Sequence, residues 1–260
     1  MLQNSKSIYF IKRLFTFVDE KNKLDIIKYN KNIQNILDIS LINYKIFSDR
    51  YIIYGGNGKG KEYNYDDKLV FEGEYLNGKR NGKGKEYDYE YYILRFEGEY
   101  LNGKRNGKGK EYKHDKLIFE GEYLNGKRNG KGSEYDNNGN LKFDGEYLYD
   151  KIRKGKKYYG NLRFEGEYLY DRILKGKEYI NNRLVYEGEY LYGTKWNGKG
   201  YDENGNIIYE LINGTGKGKE YNGYEDSLKF EGEYLNGKRN GKGKEYYDGK
   251  LEFEGEYLNG

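Results

Sequence analysis

Phe71-Glu-Gly-Glu-Tyr-Leu-Asn-Gly-Lys-Arg-Asn-Gly-Lys-Gly-Lys-Glu-Tyr87 is the stretch whose recurrence decides the architecture. It returns from Phe96, Phe119 and Phe230, and in altered form from Phe143, Phe164 and Tyr186. The opening aromatic falls at 71, 96, 119, 143, 164, 186, 209, 230 and 253, in steps of 21 to 25 residues. A period of this size means one supersecondary unit stacked on copies of itself. Function is then to be sought on the surface of a stack.

Within the phrase, Phe71-Glu-Gly-Glu-Tyr75 and Gly82-Lys-Gly-Lys-Glu86 each alternate, which is strand periodicity. Asn77-Gly78 between them is a dipeptide that tolerates positive φ at both positions and favours hairpins. A four-residue loop, Asn77 to Arg80, would set Tyr75 opposite Gly82, Glu74 opposite Lys83, Gly73 opposite Gly84 and Glu72 opposite Lys85. Acids then face bases and glycines face rings or one another. A slip of one residue would break both matches.

Composition limits what the stack is made of. With 38 Gly, 34 Tyr, no Pro and no Cys in 260 residues, aromatic rings and glycines must do the packing. The register of the aromatics argues against disorder. The absence of Cys leaves no disulfide framework and fits a reducing compartment. Residues 1 to 50 hold nine Lys/Arg and five Asp/Glu, leaving 38 of each sign in the remainder. A neutral array places nucleic-acid binding low, because that function needs a basic excess.

The phrase resembles the MORN repeat, whose pattern runs Tyr-x-Gly-x-Trp/Tyr, Asn-Gly, then Gly-x-Gly-x-x-Tyr. The resemblance covers residues 51–260. It implies a mainly β fold, an elongated solenoid-like ribbon of about nine stacked antiparallel β-hairpins, used in scaffolding, membrane-proximal attachment or partner binding. It implies no catalysis and no cofactor. A cytoplasmic placement, at the membrane or cytoskeletal periphery, is the matching expectation.

Several motifs look chemical. Gly73 to Lys79 fits the first seven positions of a phosphate loop, but the eighth is Arg80 and the segment lies in a hairpin, not between strand and helix. Glu72 and Glu74 are paired carboxylates, yet they recur in most units, whereas a catalytic pair is singular and sits in a cleft. His114 is the only histidine and lies in a polar connector, so no zinc set or nucleophile relay can be assembled.

Two candidate surfaces follow from the turns. The clean units bring Lys79/Arg80, Lys104/Arg105, Lys127/Arg128 and Lys238/Arg239 to one edge. Such a stripe is able to meet anionic phospholipid, at about 1 kcal/mol per well-placed base, or simply keeps the edge solvated. The middle units carry Tyr149, Ile152 and Arg153, then Tyr170, Arg172, Ile173 and Leu174, then Tyr192 and Trp196. These are residue types that dominate protein interfaces. The bland alternative is drift, with the apolar residues packing on the neighbouring turn.

Residues 1–50 form a separate segment. Ile11, Leu14, Phe15 and Val18, then Leu24 and Ile27, then Ile33, Ile36 and Leu37 have helical spacing. Breaks fall at Asp19 to Lys23 and at Asn30 to Asn32, and Asp38 to Ser40 ends the third helix. A small two- or three-helix cap on the first hairpin is expected. The stretch from Ile11 to Glu20 with Leu24 and Ile27 also resembles an F-box, without its usual Leu-Pro opening, which would imply docking to a ubiquitin-ligase adaptor. At the far end, Leu258-Asn259-Gly260 stops halfway through a hairpin. That leaves an open strand edge able to pair with the preceding unit only or with a second copy.

Overall fold

The structure is a computed structural model, and it describes residues 8–27, 30–40, 43, 50–88, 90–222 and 227–260. The rest of the expected cap segment lies outside the described residues. The chain divides into two compact units, the first running to Lys116 and the second from Leu117.

In the first unit three short helices precede the sheet: α1 Ile8–Phe15, α2 Glu20–Ile27 and α3 Lys31–Ile36. Ile11, Phe15, Ile27 and Ile33 bury one another, and Val18, Ile36, Leu37 and Ile39 pack against them. The helix starts are chemically marked. The Asp19 carboxylate accepts from the Asn22 N–H at 3.0 Å, and Asn30 Oδ1 accepts from the Ile33 N–H at 3.1 Å. Each satisfies a backbone donor that has no partner within its helix.

The strands of this unit are β1 Arg50–Tyr54, β2 Lys59–Asn64, β3 Leu69–Leu76, β4 Lys79–Tyr87, β5 Leu94–Leu101 and β6 Lys104–Lys113. The second unit holds β7 Lys116–Leu124, β8 Lys127–Tyr135, β9 Leu141–Leu148, β10 Lys151–Tyr159, β11 Leu162–Leu169, β12 Arg172–Ile180 and β13 Arg183–Leu191. It continues with β14 Thr194–Tyr201, β15 Ile207–Ile212, β16 Thr215–Asn222, β17 Ser227–Leu235, β18 Lys238–Tyr247 and β19 Lys250–Tyr257. Within each unit every strand pairs antiparallel with its sequence neighbours. The mainly β architecture of stacked hairpins read from the repeat is therefore what the chain adopts.

The hairpin itself corrects one expectation. Glu72 faces Lys85 and Gly73 faces Gly84 as anticipated, but Tyr75 faces Arg80 and Leu76 faces Lys79. The loop is two residues long, not four. Asn77 and Gly78 have φ of 49° and 70°, the left-handed pair whose twist matches that of the flanking strands. The surplus is taken up by a bulge that sets Asn81, Gly82 and Lys83 against Glu74 alone. Glu74 consequently folds over Gly82, where a Cβ would collide with its carboxylate. In the equivalent places Glu122 accepts from the Lys131 N–H at 3.1 Å and Glu233 from the Lys242 N–H at 3.0 Å. This carboxylate holds the bulge of its own hairpin and stands opposite Lys59 of the preceding strand, not Lys83.

In each unit the core is a file of rings on one face of its strands. Phe71 meets Tyr75 edge-on at 5.5 Å and Tyr100 at 5.0 Å, and Phe119 meets Tyr123 at 5.6 Å and Tyr147 at 5.3 Å. Each such pair contributes about 0.5–1.5 kcal/mol beyond the area it buries. The rings lie over glycine pairs: a Cβ on Gly73 would stand 2.6 Å from the Gly84 Cα and 2.8 Å from Phe71 Cζ. The alternating glycines of the repeat are seats for phenylalanine.

Candidate interaction site on the tight-turn edge

Each arginine of the clean turns leaves the edge and lies on the ring file. The Arg80 guanidinium carbon is 4.2 Å from the Phe71 ring centroid; Arg105, Arg128 and Arg239 lie 4.0 Å from those of Phe96, Phe119 and Phe230. Alternate carboxylates hold them in place. Arg80 joins Glu62 at 2.9 Å to Glu86 at 3.2 Å, and Arg105 joins Glu86 at 2.6 Å to Glu111 at 2.9 Å. Arg239 likewise joins Glu220 at 2.8 Å to Glu245 at 2.6 Å. Burial would raise the Glu86 carboxyl, but the hydrogen bond and charge of Arg105 hold it below its ordinary value. Glu220 is lowered in the same way, with Arg239 and the Tyr234 hydroxyl outweighing its burial.

The Lys-Arg pairs thus divide. Lys79, Lys104, Lys127 and Lys238 are exposed at the turn, while Arg80, Arg105, Arg128 and Arg239 are half-buried staples between hairpins. Adjacent residues of a strand point to opposite faces, so one sign of charge in sequence serves two surfaces. Sequence reasoning missed the staple role. The signal was present in the Glu that recurs six residues after each arginine.

The turns are tied to one another along the edge. The N–H of Gly103 donates to the Arg80 carbonyl at 2.8 Å, that of Asp150 to Arg128 at 2.9 Å and that of Gly214 to Trp196 at 2.8 Å. The asparagine after the arginine adds to this at two turns: Asn81 Oδ1 accepts from the Asn102 N–H at 3.4 Å and Asn129 Oδ1 from the Tyr149 N–H at 3.3 Å. Where aspartate replaces the turn glycine, it clamps the preceding hairpin. Asp150 accepts from the Arg128 N–H at 2.8 Å, and Asp171 from the Ile152 N–H at 3.0 Å and the Lys151 ammonium at 2.8 Å.

The nine middle-unit candidates separate into two sets. Ile152 takes the place of the stapling arginine opposite Tyr147 and is 8 % exposed; Ile173 stands opposite Tyr168 and is half-buried. Arg153, Leu174 and Trp196 are single-residue bulges. Trp196 is half-buried against the next turn, its ring 2.8 Å from where a Gly214 Cβ would stand. Tyr149, Arg153, Tyr170, Arg172, Leu174 and Tyr192 are exposed.

Tyr149, Tyr170 and Tyr192 occupy the first position of the tight turn, 54 %, 79 % and 84 % exposed. Their φ values are 49°, 50° and 52°, where the clean units place asparagine. A tyrosine there carries a strain of roughly 1–2 kcal/mol, because its Cβ crowds the backbone. Beside them Leu148, Leu169, Leu191 and Ile212 are exposed as well. The result is an apolar and aromatic ridge along the turn edge of the second unit, flanked by Arg153 and Arg172.

The carboxylates are placed structurally. Glu72 approaches the Lys61 ammonium at 3.8 Å and accepts from the Tyr87 hydroxyl at 2.7 Å. His114 is exposed in the two-residue turn it forms with Asp115. Among the described residues no group of three or more His, Asp or Glu is positioned to hold a metal ion, and no helix is long and apolar enough to cross a membrane.

Hairpins repeated in tandem, cross-linked by half-buried Glu-Arg rungs and presenting tight turns, define a β-repeat protein whose accessible chemistry is a surface. The chain carries MORN repeats, matched at residues 71–89, 96–116, 119–141 and 230–250. The matched units are those with the Asn-Gly-Lys-Arg-Asn turn; hairpins 143 to 222, whose turns depart from it, lie between them. MORN repeats serve generally in scaffolding and in interaction with proteins or phospholipid membranes. Comparison with characterised proteins finds no match.

Proposed function

We propose that the chain is a non-catalytic scaffold or adaptor that binds a protein partner along the turn edge of hairpins 143–200, with the helices of residues 8–40 as a cap on the array. The observation that carries this is the tyrosine triad. Three bulky residues at strained turn positions, exposed beside a row of leucines, cost stability where asparagine would not, which favours a functional reason for them. The test replaces Tyr149, Tyr170 and Tyr192 together by Asn. Partners captured from source-cell extract by the full chain should be lost while circular dichroism is unchanged. Retention of the same partners would sink the reading.

A second reading rests on the exposed Lys79, Lys104, Lys127 and Lys238, which favour contact with anionic phospholipid. It predicts sedimentation with phosphatidylserine vesicles that collapses as salt is raised. An apolar protein interface would persist under the same conditions.

A further inference from the structure

Along the ring file, the tyrosines of four hairpins find their acceptor on the hairpin before them. Tyr75 donates to Glu62 at 3.1 Å, Tyr190 to Glu178 at 3.4 Å, Tyr234 to Glu220 at 2.6 Å and Tyr257 to Glu245 at 3.2 Å. The register explains the constancy, since each of these glutamates stands opposite the ring that opens the next hairpin: Glu62 opposite Phe71, Glu178 opposite Tyr186, Glu220 opposite Phe230 and Glu245 opposite Phe253.

At Phe164 the same register brings Lys157 to that place. The arginine position of this hairpin is also altered, with Ile173 opposite Tyr168. Tyr168 remains, 7 % exposed, and its hydroxyl is buried with no hydrogen-bond partner. The Tyr100 and Tyr147 hydroxyls are equally buried, but Glu86 and Glu134 stand beside them, whereas no carboxylate stands beside that of Tyr168. A buried hydroxyl in that state is destabilising. The comparison within the chain is informative. Where Gly200 takes the glutamate position opposite Tyr209, the tyrosine is gone too, replaced by Leu211. Among the described rungs, the one at Lys157 loses the glutamate and keeps the tyrosine.

The surroundings match an anion. Phe164 is half-buried, whereas Phe71, Phe96, Phe119, Phe143 and Phe230 are at most 1 % exposed, so the missing rung leaves an accessible apolar floor. The Lys157 ammonium lies 5.4 Å from the Tyr159 ring centroid. Asp171, the acid whose charge Lys157 influences, is already engaged by Lys151 and the Ile152 N–H.

We propose that the rung of Lys157 and Tyr168 is a binding site for a carboxylate supplied from outside the chain, which takes the place of the glutamate present in the neighbouring rungs. The carboxylate accepts from the Tyr168 hydroxyl and pairs with the Lys157 ammonium, and a short apolar neighbour group covers Phe164 and Ile173. A free small carboxylic acid and an acidic side chain of a protein share this chemistry. The site does not depend on the tyrosines of the turn edge, so the two readings fail separately.

The test is titration of the full chain, labelled with carbon-13 in its tyrosine rings, with sodium acetate against sodium chloride at equal ionic strength. The Tyr168 signals are assigned from Tyr168→Phe. Acetate should produce a saturable shift that chloride does not. In Lys157→Glu, which restores an internal carboxylate, the shift should weaken at least roughly tenfold, the loss expected for a charge-assisted hydrogen bond, and the thermal midpoint should rise. A parallel titration uses the capped peptide Ser-Leu-Glu-Leu-Ser and its Gln counterpart. Tighter binding of the Glu peptide than of acetate identifies a side-chain ligand, and equal or weaker binding identifies a free acid. Identical responses to acetate and chloride, or an undiminished shift in Lys157→Glu, would overturn the proposal; the thermal midpoint of Lys157→Glu needs no Tyr168 variant, and its failure to rise would overturn it too.

Discussion

Arg105 Nη2 lies 2.6 Å from Oε2 of Glu86, a carboxylate of the preceding hairpin, while its other amino group reaches Glu111 of its own hairpin at 2.9 Å. One planar guanidinium therefore ties two hairpins together, its carbon 4.0 Å from the centroid of the Phe96 ring. The same element that supplies charge in the sequence supplies cohesion in the fold.

Arg105→Met keeps the stem on the ring and leaves Glu86 and Glu111 short of a partner. We expect a loss of about 2 kcal/mol, below the ~3–5 kcal/mol of a fully buried pair because the group is partly solvated. Arg105→Lys should recover only part of it, since an ammonium cannot bridge two carboxylates with a planar fork. Urea denaturation followed by circular dichroism measures both.

Gly73→Ala and Gly126→Ala separate close approach from conformation. At Gly73 the added methyl meets the Gly84 Cα at 2.6 Å and the Phe71 ring at 2.8 Å, so a cost of about 3 kcal/mol or failure to fold is expected. At Gly126 nothing lies within 4 Å, and only the φ of +90° opposes the methyl. That variant should lose about 1 kcal/mol. Equal costs would contradict the packing described.

Tyr170→Asn should stabilise the protein by roughly 0.5–1 kcal/mol by relieving a φ of 50°. The same change should weaken partner binding. A gain in thermal midpoint accompanied by unchanged binding would argue that the triad is not a contact surface.

The acid limb of stability should track the rungs. Glu86, Glu220 and Glu245 have carboxyls held below their ordinary value by arginine, against the cost of burial in all three. Their contribution is complete above the unfolded value of about 4.3 and is lost as pH falls through the lower folded values. On the alkaline side Tyr75, Tyr100 and Tyr234 are raised, chiefly by burial, so unfolding releases protons and stability declines as pH rises above about 10. A plateau between these limits in thermal melts is expected, and melting that is flat down to pH 3 would contradict the rungs.

Much of this was legible before the structure. The alternation around Gly73 and Gly84 specified the inner register, and Asn77-Gly78 specified a hairpin. The outer register was not legible, because a four-residue loop and a two-residue turn with a bulge both satisfy the charge pattern near Glu74. Nor was the fate of the Lys-Arg pairs, since adjacent residues diverge to opposite faces once the strand continues to the turn. Ile152 and Trp196 read as exposed for the same reason; the first fills a stapling position and the second lies against Gly214.

By itself the sequence determined the stacking of hairpins, because a 21-to-25-residue period of rings and glycines has few other ways to bury its aromatics. The tertiary structure alone decided which polar groups face solvent and which close on one another. Those contacts join residues about 18 to 20 positions apart, such as Arg80 with Glu62, Ile152 with Asp171 and Arg105 with Glu86. Their partners are set by the spacing of neighbouring hairpins and by the bulge, neither of which a local pattern encodes. The buried hydroxyl of Tyr168 belongs to the same class: its residue type is ordinary for the repeat, and only the neighbour that the stack brings to it is changed.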